Sequence, residues 1–358
     1  MNAIENIKSL YRRTGYEYMP IEINSCPIVQ KKIDDALQGK TLVEYYDYPE
    51  GFQGVIPMGV KRKNVQDIDW RSFYEEDLHE DTSFSPYGKA SEGGYESADH
   101  MRRAHHPMAK FDSLDQIKDY PWPEWDYEDI DYIKEHIQSV HDKGKYVKAG
   151  MECTIWETAW GIRDMTVLMM DMVMDEEKAA YIFDKVTADA VNRAKVYASV
   201  GVDVINFGDD IGMQDRIMMS VDMYREWLKP RLSKVISAAK EANPDVIIQY
   251  HSCGYVEPYI PDLIDAGIDV LNPVQPECMS FEKLYKEYGD VLSFNGTIGT
   301  QTTMPFGSPD DVRKEVFKNL ELVGEKGGLV VAPTHMLEPE VPWENIDAFI
   351  KASIEFSK

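Results

Sequence analysis

The run "VDVINFGDD" (202–210), followed by "VDMYREWLKPRLSKVISAAKEAN" (221–243) and "DVIIQYHSCG" (245–254), decides how this chain folds. The two outer pieces are short, apolar and β-branched, and each ends on polar residues, as buried strands do. The middle piece is helix-length and repeats its apolar residues at steps of three and four, the pattern of an amphipathic helix. Strand, helix, strand is the unit from which a parallel sheet covered by helices is built.

The same alternation extends in both directions. Upstream, "YVKAGME" (146–152) reads as a strand and 163–201 as a helix. Downstream come the helix 258–267, the strand "IDVLNPVQP" (268–276), the helix 281–289 and the strand "VLSFNGTIG" (291–299). The helix 308–328, the strand "LVVAPTHM" (329–336) and the helix 342–358 complete six βα units. Two further strands, "YEYMPIEIN" (16–24) and "TLVEYY" (41–46), bring the count to eight. The expected fold is a single α/β domain over 1–358, a (β/α)8 TIM barrel with an N-terminal extension. The polar, aromatic- and Gly/Pro-rich stretch of about 47–143 is expected to be an insertion capping the barrel mouth. No Gly-rich phosphate loop follows any strand, which argues against a doubly wound nucleotide-binding sheet.

Composition narrows the partners. With 63 acidic against 38 basic residues the formal net charge is −25, and phosphate binding needs clustered Lys and Arg, so nucleic acid is not an expected partner. No apolar run is long enough to span a membrane. The N-terminus lacks the apolar core of a signal peptide, so a cytoplasmic location is expected. Four scattered cysteines, Cys26, Cys153, Cys253 and Cys278, make no disulfide framework and fit a reducing compartment. A cysteine with a task here is then a thiolate ligand or a nucleophile.

In a TIM barrel the chemistry sits at the C-terminal ends of the strands. Those ends carry Glu22 and Asn24, Glu152 with nearby Glu157, Asp209 and Asp210, His251 and Cys253, Gln275, Asn295, and His335. Two residues apart on a strand, His251 and Cys253 share a face. Imidazole nitrogen and thiolate sulfur suit Zn²⁺, which in catalytic sites takes three protein ligands and leaves a position open. The third ligand is open between His335, Cys278 and a carboxylate of Glu152 or Glu157. The alternative is a neutral core thiol beside a hydrogen-bonded histidine. Asp209, Asp210 and Glu157 are the acid/base candidates, with a helix cap and a solvated neighbour as the alternative for the aspartate pair. The Met-rich "DMTVLMMDMVM" (164–174) has the spacing of a core-facing stripe. In "YRRTGYEYMP" (11–20), Arg12 or Arg13 can clamp a carboxylate while Tyr16 and Tyr18 line a pocket; a solvated helix end is the alternative.

These segments resemble the uroporphyrinogen decarboxylase superfamily. "NFGDDIGMQDRIMMSVDMYREWLKPRLSKVI" is similar to its "DD-x-G-x-Q … S-P-x-x-[FY]-R-E-[FW]-x-K-P" region. "HSCGYVEPYIPDLIDAGIDVLNPVQP" and "GGLVVAPTHMLEPEVPWENIDAFI" are similar to its H-x-C/D-G and C-terminal P-x-E-N-I segments. The match runs over about 145–358, more loosely before it, and implies a (β/α)8 barrel. One branch decarboxylates porphyrinogens without metal, using an N-terminal "R-Q-A-G-R-Y" loop. Here "R-R-T-G-Y-E-Y" keeps Arg12 but has Tyr16 in place of the second arginine. The other branch holds zinc- and corrinoid (cobalamin)-dependent methyltransferases with an H-x-C pair and a later cysteine. This chain keeps His251 and Cys253, with Thr334–His335 where that cysteine falls.

The resemblance therefore implies an O-demethylase type of methyltransferase, with zinc held by His251, Cys253 and His335. Its partners would be a small methylated substrate, a methoxy compound with or without an aromatic ring, and a small corrinoid-binding protein; a homodimer is compatible with it. On that reading Asp209 or Asp210 positions the substrate or protonates the leaving oxygen, with Glu157 nearby. Tyr16, Tyr18 and Trp156 form the pocket, and Arg12 and Gln214 contact substrate. The competing readings are a metal-free decarboxylase and a barrel that binds a tetrapyrrole or a partner protein without catalysis. Metal content separates the first two.

Overall fold

The six apolar runs form one parallel sheet in sequence order: β1 Lys148–Glu152, β2 Val204–Gly208, β3 Ile247–His251, β4 Val270–Asn272, β5 Ser293–Ile298 and β6 Leu329–Pro333. This is a computed structural model, and it describes residues 1–48, 59–63, 68–93 and 102–357. β2, β5 and β6 are buried along their whole length, as strands walled by helices are. Helices Glu176–Ser199 and Lys229–Ala242 pack side by side outside the sheet, as do Pro309–Val323 and Trp343–Phe356. The chain is a TIM-type α/β barrel.

The two N-terminal strands expected from sequence do not form. "TLVEYY" is a helix, Leu42–Tyr46, because Thr41 and Glu44 make a reciprocal capping box at its start. The stretch 16–24 is extended but carries no ladder. Near its end Leu337 donates to the Asn24 carbonyl at 2.8 Å and Cys26 donates to Leu337 at 3.0 Å, giving a single parallel bridge just past β6. From the same segment Glu22 reaches Lys148 on β1, 2.9 Å away. One extended segment thus links the two ends of the six-stranded ladder.

The long helix expected over 163–201 is two, Met165–Met174 and Glu176–Ser199, broken at Asp175 (φ −148°, ψ 66°), and a separate helix, Trp156–Arg163, precedes them. Asp164 parts that preceding helix from the next. It sits at φ 75°, where a helix cannot continue, and its side chain caps the next helix by accepting from Thr166 and Val167. The methionine stripe is only half a core feature. Leu168 and Met172 are buried, whereas Met170, Val173 and Met174 are 53–78 % exposed.

Much of 47–143 is described; residues 49–58, 64–67 and 94–101 are outside the described set. It contains an antiparallel three-stranded sheet (Ser83–Phe84, Ala90–Glu92, Arg103–His105) and the helices Leu114–Lys118 and Asp131–His141. It packs on the helices that follow β1. His106 meets the Gly161 carbonyl at 2.9 Å, Arg163 donates to the Phe111 carbonyl at 2.8 Å, and Tyr127 donates to Asp189 at 2.9 Å. Among the described residues no helix is long and apolar enough to cross a membrane.

Candidate metal and substrate site

Successive residues of a strand point to opposite faces, and here the inward face is polar. Lys148 and Gly150 on β1, Asn206 on β2, Gln249 and His251 on β3, Asn272 on β4 and Asn295 on β5 all line one cavity of about 600 Å³. Between them, Ala149, Met151, Ile205, Phe207, Ile248, Tyr250, Leu271 and Phe294 turn outward and are buried. The register pairs Gly150 with Asn206 and Asn206 with Gln249. One level higher it pairs Gly208 with His251 and His251 with Asn272. A barrel interior is ordinarily packed with branched apolar side chains, so a polar-walled cavity is a departure with a cost and points to a ligand. Glu22, Asn24, Ser25 and residues 332–336, His335 among them, complete its wall.

At the upper level, His251, Cys253 and Asp210 bring a nitrogen, a sulfur and a carboxylate oxygen within 4.8 Å of one another. His251 Nε2 lies 3.5 Å from Cys253 Sγ and 3.6 Å from Asp210 Oδ1. Tetrahedral Zn²⁺ at ordinary ligand distances separates its donors by roughly 3.4–3.8 Å, so these two edges fit a zinc coordination shell. The set supplies three donors of the types zinc accepts. His251 borders the cavity, leaving room for a fourth, exchangeable ligand there.

Local structure fixes each member. Asp210 is held by its own contacts: Oδ1 accepts from the Cys253 backbone at 2.7 Å, and its amide donates to Glu157 Oε2 at 3.2 Å. Gly208, beside His251, has no room for a side chain, since a Cβ there would lie 2.5 Å from the His251 carbonyl oxygen and 2.7 Å from its Cβ. Gly254, at φ +83°, lets the loop after β3 touch the loop after β2, where a Cβ would lie 2.6 Å from the Met213 carbonyl. Burial, and then the charges of Asp210 and Glu157, hold the Cys253 thiol above its ordinary pKa. Burial and Asp210 likewise raise Glu157. Negative charge is thus concentrated around one point, where a divalent cation would reverse the balance.

His335 lines the same cavity but is not one of the three clustered donors; the third donor of that cluster is Asp210. Cys278 stands aside, with Sγ 3.5 Å from Gln214 Oε1. Gln214 is exposed on the loop after β2 and also accepts from Gln301 at 3.0 Å.

Asp209 is turned away from the cavity and is 3 % exposed. Its carboxylate accepts from the backbone of Ile155 (3.0 and 3.1 Å) and Glu157 (2.9 Å), capping the helix Trp156–Arg163 from the neighbouring strand. Burial and the nearby Glu157 push its pKa up to about 8 against those amides. Its carboxylate is thus engaged by the helix start, while its neighbour Asp210 faces the cluster.

The aromatic pocket expected from Tyr16, Tyr18 and Trp156 is not at this mouth. Trp156 is wholly buried and stacks on Phe183. Tyr16 packs at Gly327, just before β6, and Arg12 pairs with Asp245, just before β3, at 2.8 Å. Both therefore lie at the N-terminal ends of the strands. Tyr18 is buried against Tyr48. An aspartate or a core contact already uses each of these side chains.

Asn206, Gln249, Asn272 and Lys148 were missed by reading strand ends. Their signal was a single polar residue at alternate positions within apolar runs, as in "VINFG", "IIQYH" and "VLN".

A family model for uroporphyrinogen decarboxylase (URO-D) matches residues 100–356, well over half of the chain. Among solved structures, a methyltransferase from Methanosarcina mazei is 19 % identical with a TM-score of 0.67, covering 100 % of both chains. A 3-keto-D-glucoside 4-epimerase from E. coli is 13 % identical over 63 % of this chain and 84 % of its own, with a TM-score of 0.40. No curated protein matches the chain. A polar-walled barrel with its donor cluster at the C-terminal strand ends, and a family match spanning all six strands, give one assignment: the chain belongs to the uroporphyrinogen decarboxylase (URO-D) family.

Proposed function

We propose that this protein is a zinc-dependent methyltransferase. It would move a methyl group between a small methylated substrate, a methyl ether, and a corrinoid carried on a small partner protein. The observation that carries the reading is the trio His251, Cys253 and Asp210, whose donor spacings suit a tetrahedral ion beside a 600 Å³ cavity. A zinc ion held there would supply Lewis acidity toward the ether oxygen of the substrate. The methyltransferase fold of similar shape and the family's methyltransferase branch agree with it.

The chain's own residues divide the remaining work. Asn24, Asn206 and Gln249 offer hydrogen bonds to the substrate, and among the described residues no aromatic side chain lines the cavity, which favours a small polar methyl ether over an aromatic one. Glu157, raised by burial and accepting from the Asp210 amide, stands beside the cluster as the acid/base group. His335 stands on the cavity wall as a further polar contact to substrate.

The metal-free decarboxylase reading fares worse. Arg12 is committed to Asp245 at the other end of the barrel, and Lys148, the one Lys or Arg among the described lining residues, is paired with Glu22. Among the described residues, a polycarboxylate would find no free cation in that wall. The test is methyl transfer from small methoxylated compounds to cob(I)alamin, followed by the visible spectrum. Wild-type protein loaded with zinc should form methylcobalamin, and His251→Ala should not. Undiminished transfer by His251→Ala would remove the zinc from the account.

A further inference from the structure

His251 has two ring nitrogens, and only Nε2 faces Cys253 and Asp210. Which nitrogen carries the proton decides whether Nε2 is a donor or a lone pair, and a metal needs the lone pair. The surrounding hydrogen bonds answer the question from the opposite end of a chain. Glu22 is 2.9 Å from Lys148 Nζ, so it is ionised and can only accept. Asn295 therefore points its amide nitrogen at Glu22 Oε2, 3.0 Å away, and its oxygen elsewhere. That oxygen lies 2.7 Å from Asn272, which must meet it with Nδ2. Asn272 is left with Oδ1 toward His251 Nδ1 at 2.6 Å, and an amide oxygen there requires Nδ1 to carry the hydrogen. Each carboxamide has one donor end and one acceptor end, so the direction set at Glu22 passes along the chain without ambiguity.

We propose that Glu22 is a positioning residue for His251. Acting through Asn295 and Asn272, it locks the imidazole as the Nδ1–H tautomer with the Nε2 lone pair aimed at the Cys253–Asp210 cluster. All three residues of the chain come from different segments: Glu22 from the extended N-terminal stretch, Asn295 from β5 and Asn272 from β4. The N-terminal segment that links the ends of the ladder thereby also sets the chemistry of a side chain on β3. Tyr146, which donates to Glu22 Oε1 at 3.4 Å, and Tyr11, 3.0 Å from Asn295 Nδ2, hold the first two links of this relay in place. A carboxylate reached through a hydrogen-bonded chain also makes the ligating nitrogen a better donor, as outer-sphere carboxylates do for metal-bound histidines.

The inference deepens the zinc reading, but the tautomer itself does not depend on that reading. The test uses metal-free protein with ¹⁵N-labelled histidine at about pH 8, above the ordinary imidazole pKa. Long-range proton–nitrogen spectra then distinguish protonated from unprotonated ring nitrogens, and His251→Gln identifies the signals. Wild type should show Nδ1 protonated. Glu22→Gln, which can present either end of its amide, should let the Nε2–H form appear and weaken zinc binding by about 10–100-fold. Adding Asn272→Asp to Glu22→Gln puts an acceptor-only group directly on Nδ1. It should restore the Nδ1–H form and bring zinc affinity back to within a few-fold of wild type. Asn272 shares no hydrogen bond with Lys148 among those described, so this rescue does not act by repairing the Lys148 ion pair. A pure Nδ1–H tautomer in Glu22→Gln would overturn the proposal, and so would a failure of Asn272→Asp to restore what Glu22→Gln loses. A wild-type protein with the Nδ1–H tautomer and no zinc affinity would support the relay while removing the zinc function.

Discussion

Asp209 and Asp210 are adjacent, yet the structure gives them separable tasks, and replacing each in turn exposes the difference. In Asp209→Ala, the Ile155 and Glu157 amides at the start of the helix Trp156–Arg163 lose their acceptor in a site only 3 % exposed. A buried unsatisfied donor costs about 1–3 kcal/mol. Two such donors, together with the vacated side-chain volume, should destabilise the fold by about 3–5 kcal/mol. Asp209→Asn keeps one acceptor oxygen and should cost about 1–2 kcal/mol. Asp210, 40 % exposed at its side chain, gives up one hydrogen bond from the Cys253 amide in Asp210→Ala, worth about 1 kcal/mol, together with a metal donor. Urea unfolding in the presence of a chelator isolates the protein's own stability, with the midpoint read at unchanged slope. Zinc affinity, measured separately, should fall far more steeply in Asp210→Ala. The reasoning is refuted if Asp209→Ala unfolds at the wild-type midpoint, or if Asp210→Ala is as destabilised as Asp209→Ala.

Three other outcomes follow from contacts already described. Gly208→Ala places a methyl 2.5 Å from the His251 carbonyl oxygen and must displace that strand; a loss of about 1–3 kcal/mol in a melting experiment should accompany weaker zinc binding, although no donor has changed. Arg12→Ala breaks a pair whose side chains are 46 and 74 % exposed at the end of the barrel remote from the cluster; stability should move by less than about 1 kcal/mol, with kcat and KM of methyl transfer unchanged. Asp262, 4 % exposed, is pushed up by burial, but Lys229 and Arg225 overcome that and hold its pKa below the ordinary carboxylate value. A depressed native pKa adds stability that is present above the unfolded pKa and lost as pH falls through the native one. Asp262→Asn should therefore be less stable than wild type near neutrality, and the gap in unfolding midpoint should close below about pH 4.

The parts of the fold that were legible in sequence are those with strong local periodicity. All six barrel strands lie within the segments read as strands, because buried parallel strands are short apolar runs between long amphipathic helices. The failures came where a local signal was overlooked or a tertiary one decided. Thr41 and Glu44 start a helix inside a stretch rich in strand-forming residues, and the non-helical backbone of Asp175 splits what hydropathy shows as one continuous helix. At the site, His251 and Cys253 were legible because they stand together at the C-terminal end of an apolar strand, where barrel chemistry sits. Asp210 was visible, but its place beside His251 and Cys253 was not. That depends on how two loops lie against each other, a contact that Gly254 permits and no spacing encodes. The roles of Asp209 and of Glu22 were equally hidden, since their partners lie more than 50 residues away in the chain.

The central claim is that His251, Cys253 and Asp210 form a metal centre, and zinc content tests it most directly. Protein prepared in zinc-replete medium and dialysed against metal-free buffer should retain one zinc per chain by elemental analysis. His251→Ala, Cys253→Ala and Asp210→Ala should each retain far less while staying folded. A wild-type protein that emerges without zinc, or alanine variants that keep the wild-type amount, would contradict the account.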